Sequence, residues 1–130
     1  MNHKQFEVKM REMGVLINVP DKYYPRVGRH NCDGLYVEID ESIPIYRWIC
    51  IERGTEFKNE IFLNPQDLLY CVFEVITSLM GYDYASRNKK TGQRFRRLAF
   101  EHQLDLLGMI DEDFRKRREK EIEEILTKYP

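Results

Sequence analysis

An α+β fold is predicted, with an N-terminal helix, an antiparallel sheet of about three strands, and three C-terminal helices of which the first two form an antiparallel hairpin packed on the sheet. Three observations carry it. Apolar residues recur at helical spacing near the N-terminus, the period changes to two from Leu35, and a strong helix start at Asn64 restores helical spacing to the end. The 130 residues are expected to form one domain, with a helix over 1–17, a sheet over 34–63 and a helical part over 64–130.

In the first element Phe6, Met10, Met13 and Ile17 are spaced by four, three and four residues, one face of a helix with Asn2 available as N-cap. The stretch Val19 to Gly34 carries Pro20, Pro25, Gly28, Asp21, Asn31 and Asp33, which punctuate structure, and reads as a long loop with Tyr23 and Tyr24 as two large side chains to dock or to present. Leu35, Val37 and Ile39 then alternate with Tyr36, Glu38 and Asp40. A second run alternates Ile45, Arg47, Ile49 and Ile51 with Tyr46, Trp48, Cys50 and Glu52. It is apolar on both faces, so it should be central, with its Ile face on the core. Phe57 to Leu63 suggests a third strand.

Asn64-Pro65-Gln66-Asp67 starts a helix because Asn caps free amides, Pro tolerates the first helical position and Asp complements the dipole. About 25 residues follow toward Lys90, with apolar side chains over more than half the circumference. Thr91-Gly92 breaks it, a third helix runs from Gln93 to about Met109, and Asp111 caps a fourth.

With 21 Lys and Arg against 22 Asp and Glu the net charge is -1, which excludes a strongly basic nucleic-acid binder and a disordered acidic tail. The balance hides segregation: residues 33–60 sum to -4, residues 87–97 to +6 and residues 101–113 to -5. The basic segment supports an alternative reading as a small nucleic-acid-binding accessory protein, but such segments are more often solvated, and Phe95 is its one aromatic residue, so nucleic acid is disfavoured. The N-terminus lacks the apolar stretch of a secretory signal and no run reaches the ~18 apolar residues of a membrane span, so a cytoplasmic, membrane-free protein is expected.

Phosphate-loop, dinucleotide, zinc-protease and EF-hand motifs are missing, and Cys32, Cys50 and Cys71 have neither disulfide nor zinc spacing; no cofactor, metal or catalytic residue is expected. His30 and Cys32 are two residues apart in a loop, which favours ordinary polar roles over a nucleophile and base. Glu74 stands within an apolar run and needs a cationic or hydrogen-bonding partner. Asp83 and Arg87 form an i,i+4 pair, and folding the hairpin about Thr91-Gly92 places Arg97 near them, predicting a cluster.

The segments Trp48-Ile-Cys-Ile-Glu-Arg-Gly54, Asp67-Leu-Leu-Tyr-Cys-Val-Phe73, Tyr82-Asp-Tyr84 with Arg87, Arg96-Arg-Leu-Ala-Phe100 with Gln103, and Arg117-Arg-Glu-Lys-Glu-Ile-Glu-Glu-Ile-Leu126 resemble, in order, the immunity protein 63 family. The resemblance covers residues 46–130. One departure is Gly81 before Tyr82 and Ala85 after Tyr84, where the family pattern flanks its Tyr with Ala and Glu. The resemblance implies a small α+β bacterial immunity protein that binds and neutralises a cognate toxin domain in the cytosol without chemistry, an inhibitor acting through protein–protein interaction. Trp48, Asp67, Tyr70, Phe73, Asp83, Arg87, Arg97 and Phe100 are then scaffold. Toxin contacts are expected from Tyr23, Tyr24, Glu38, Asp40, Glu52 and Glu56, because loops and aromatic side chains anchor interfaces and acids steer a basic partner. Oligomeric state stays open.

Overall fold

A computed structural model describes residues 1–28, 32–92 and 94–130. The first helix, α1 (His3–Val15), starts at a capping box: the Gln5 amide donates to the Asn2 side chain at 2.8 Å and the Asn2 amide to the Gln5 side chain at 2.9 Å. Phe6, Met10, Met13 and Ile17 are buried, as their spacing predicts.

The stretch read as a loop instead contains a 3-10 turn (Asp21–Tyr23) and a two-residue strand, β1 (Arg26–Val27). Two residues between Pro25 and Gly28 are too few for an alternation to be visible. β1 pairs in parallel with β2 (Gly34–Asp40), which is antiparallel to β3 (Ile45–Glu52), itself antiparallel to β4 (Thr55–Phe62). The sheet is therefore four-stranded and mixed, in the order β1-β2-β3-β4, where about three antiparallel strands were expected. Arg53 and Gly54 both have positive φ, the geometry of a two-residue hairpin turn, and the Asp33 carboxylate accepts from both amides at 2.8 and 3.0 Å.

Register corrects the assignment of faces on β3. Val37 opposes Trp48 and Ile39 opposes Tyr46, so the Tyr46/Trp48/Cys50 face joins Val37 and Ile39 in the core, and the Ile45/Arg47/Ile49/Ile51 face is the outer one. Both faces of β3 are apolar, so alternation alone could not choose. The turn between Asp40 and Ile45 chose, because it sets which residues oppose one another.

Over the core face lies α2 (Pro65–Asn88), with Asn64 accepting from the Asp67 amide at 2.8 Å and Leu68, Leu69, Val72, Phe73 and Ile76 buried. Helices α3 (Phe95–Ile110) and α4 (Glu112–Lys128) follow, and Asp111 caps α4 by accepting from the Asp113 amide at 2.8 Å. The expected α3 start at Gln93 lies outside the described residues. Gly81 sits where α2 crosses α3: a Cβ there would lie 2.6 Å from the Ala99 carbonyl oxygen. That contact leaves no room for a side chain at position 81. Side chains from α1 and α2 enter one core with Trp48, so these helices cover the same face of the sheet.

Candidate partner-binding surface

Across the outer face the strands place Glu38 opposite Arg47 and Arg47 opposite Ile61, with Tyr36, Ile49 and Asn59 in the adjacent row. The two rows differ. Tyr36 and Ile49 are fully buried, and the Tyr36 hydroxyl donates to the Cys32 carbonyl at 2.5 Å, while Asn59 at the β4 end of that row is exposed. In the row of Glu38, Arg47 and Ile61 the two charged residues are half-buried and Ile61 is exposed. Arg47 donates to the Asn59 side chain at 3.4 Å, and Asn59 donates to Glu56 at 2.7 Å, giving a polar chain from β3 to the edge of the sheet. Exposed Ile43, Phe57 and Ile61 flank it.

Three of the four predicted acids share this face. Asp40 accepts from the Ser42 hydroxyl at 2.7 Å and the Ser42 amide at 3.0 Å, bonds that hold its carboxyl below the usual range and keep it charged. Glu38 lies on β2 and Glu56 opposes Ile51. Against Arg26, which opposes Tyr36, and Arg47, the three acids leave the face at -1. Glu52, opposite Thr55 at the hairpin turn, has the helix-side parity and does not join them.

Tyr23 and Tyr24 are not brought to the acids either. Both are half-buried against the helix-side core, Tyr24 beneath the Arg11 guanidinium at 4.0 Å and Tyr23 near the Lys22 ammonium at 5.1 Å. Gly14 makes room for Tyr24, since a Cβ would lie 1.9 Å from its hydroxyl. Sequence reasoning did not assign Arg47, Phe57, Asn59 and Ile61 to a binding surface; their odd parity on β3 and β4 was the available signal.

On the opposite side of the sheet the quoted motifs converge. Asp67 pairs with Arg117 at 3.1 Å, and the Arg117 guanidinium lies 4.0 Å above the Tyr70 ring. The Tyr70 hydroxyl donates to Glu121 at 2.5 Å and its ring meets Phe114 edge-on at 5.3 Å. Arg118 reaches Glu121 at 3.3 Å, Glu74 at 3.2 Å and the Gln103 side-chain oxygen at 3.1 Å, while Gln103 donates to the Glu74 carbonyl at 3.0 Å and to Thr77 at 3.2 Å. Arg118 is thus the partner that Glu74 required. Burial raises the Glu74 carboxyl above its ordinary value, and Arg118 opposes that rise. Burial also pushes the neighbouring Cys71 thiol up to about 12, which leaves it protonated and unreactive at neutral pH. The network borders a cleft of about 300 Å³, closed on the far side by Lys58, Glu60 and Phe62 of β4. Gln103 and Arg118 were not singled out as buried, although Phe114, Arg118 and Ile122 follow one helical stripe.

Trp48 and Phe73 are core, and Phe100 is half-buried with its ring 5.8 Å from the Arg118 guanidinium. Asp83 and Arg87 pair at 3.3 Å, but Arg97 is exposed and outside that cluster. The physical reason is angular. Arg97 precedes the inward-facing Ala99 by two residues, about 200° around α3, so it points away from α2. In the basic segment Arg96 donates to the Tyr129 carbonyl at 2.5 Å and Phe95 turns onto Tyr82, ring centroids 5.4 Å apart. Cys32 accepts from Arg26 at 2.7 Å; its expected neighbour His30 lies outside the described residues.

Among the described residues no three His, Cys, Asp or Glu side chains gather as ligands for a metal ion, and no helix is long and apolar enough to cross a membrane. No curated protein and no solved structure matches the chain. A family model described as Immunity protein 63 matches residues 41–124, from the turn before β3 to the last turns of α4, and so includes the whole network of Asp67, Tyr70, Glu74, Gln103, Arg117, Arg118 and Glu121. With well over half of its length matched, the chain belongs to the immunity protein 63 family.

Proposed function

We propose that the chain is a bacterial immunity protein of a polymorphic toxin system that neutralises a cognate toxin domain in the cytosol by binding and covering it, without chemistry. The surface assigned to that role is the outer sheet face, with Glu38, Asp40 and Glu56 as the charged contacts and Ile43 as an apolar one. One observation carries the choice: the motif side chains of α2, α3 and α4 are engaged with one another, whereas the outer face of the sheet gathers Glu38, Asp40 and Glu56 against Arg26 and Arg47. Acids on such a face steer a basic partner into contact and raise its association rate. Tyr23, Tyr24 and Glu52 lie elsewhere and are not assigned to this interface.

The test is co-expression with any toxin domain found to be encoded in a neighbouring gene, followed by titration of the purified pair. Glu38→Lys with Glu56→Lys is expected to lower the association rate at least 10-fold and to abolish protection, with the fold intact. Unchanged affinity and protection in that double variant would show the surface to be wrong.

A further inference from the structure

We infer that two copies of this chain pair edge to edge through β4, in a two-fold register centred on Asn59. As the last strand of the sheet, β4 has a ladder partner on the β3 side and none on the other among the described residues. Such an edge is a template for another strand unless its side chains repel one. Here they match one. A two-fold axis perpendicular to the sheet sets β4 antiparallel to its copy and keeps each face on its own side, so residues of like face oppose each other.

With Asn59 on the axis, Phe57 faces the partner's Ile61 and Lys58 faces the partner's Glu60, and each contact occurs twice. The outer side then gains two apolar pairs from residues that are 61% and 54% exposed in the single chain. On the inner side the existing Lys58–Glu60 pair, 2.8 Å apart, becomes a four-charge cluster of alternating sign. Neighbouring registers fail on charge. Moving the axis to residue 58 sets Lys58 against the partner's Lys58, and moving it to residue 60 sets Glu60 against the partner's Glu60. The irregularity in the ladder at Cys50/Ile51, which leaves Phe57 without an opposite residue on β3, limits pairing to residues 57–61. An interface this small is expected to be reversible.

The experiment is sedimentation equilibrium of the full chain, without toxin, from about 1 to 500 µM, a range suited to a small and reversible interface. Wild type is expected to approach twice the 15.7 kDa chain mass. Lys58→Glu should hold the chain as a monomer, and Lys58→Glu with Glu60→Lys should restore the dimer, because the swap preserves every cross-axis pair. Asn59→Cys with Cys32→Ser should cross-link on mild oxidation, since directly opposed strand residues are about 4.5–5.5 Å apart, within disulfide reach; Thr55→Cys with Cys32→Ser should not. A wild-type monomer throughout the range overturns the inference, as does a dimer indifferent to Lys58→Glu, or β4 protection from amide exchange that appears only when toxin is added.

Discussion

The two faces of the sheet use charged side chains in opposite ways. On the helix side, Arg118 is about nine-tenths buried and bonded to three elements' worth of partners, so its charge determines how α2, α3 and α4 meet. On the outer side, Glu38 and Arg47 oppose each other across two strands at half-buried positions, where water screens them more than it does Arg118. The first arrangement ties stability to particular residues. The second leaves a surface whose charge can vary while the fold does not.

The largest expected effect breaks the buried side. Arg118→Ala removes the cation from Glu74, Glu121 and Gln103, and loss of one partner of a buried pair costs about 3–5 kcal/mol, read as a lower urea midpoint. Next is Gly81→Ala. The methyl gains about 1 kcal/mol of helix propensity but meets the Ala99 carbonyl oxygen at 2.6 Å, so a net loss of about 2 kcal/mol is expected in the same assay, with α3 displaced.

A third variant sharpens the comparison through pH. Burial raises the folded Glu74 carboxyl above its ordinary 4.5, so the folded chain holds this proton to higher pH than the unfolded chain does. The contribution of that carboxyl to stability is therefore fully present below about pH 4.5 and declines as pH rises through the raised folded value. The stability of wild type relative to Glu74→Gln, followed by urea titration from pH 4 to 8, should fall with pH across that window. A constant difference would place Glu74 in a solvated setting. The smallest stability effect belongs to the outer face: Glu38→Lys and Glu56→Lys should each move the unfolding free energy by less than about 0.5 kcal/mol, while carrying the loss of toxin association described above.

Several elements were legible because their signals are local. The Asn2 and Asn64 caps, the Gly54 turn, the break at Thr91-Gly92 and the Asp111 cap each rest on a few adjacent residues, and the helices and the main strands begin and end within a few residues of where those signals stand. β1 escaped because a two-residue strand has no period. The acids Glu38, Asp40 and Glu56 fall on one face because alternation in the strands already separates them from the core. Tyr23 and Tyr24 were expected as toxin contacts from their place in a loop, and an aromatic ring goes wherever apolar surface is free; here Gly14 and Arg11 supply it from α1.

Periodicity, caps and turn residues by themselves determined the kinds of element and their order, and spaced motifs carried the resemblance to the family, since all of these depend on neighbours within a few residues or on residues in sequence order. Tertiary structure alone decided which face of β3 is buried, that Arg118 rather than Arg97 holds the helices together, and that Glu52 leaves the other acids. Those outcomes depend on strand register and on the angle at which a side chain leaves its helix. A shift of one residue in a strand, or of two in a helix, reverses them while leaving the local sequence pattern unchanged.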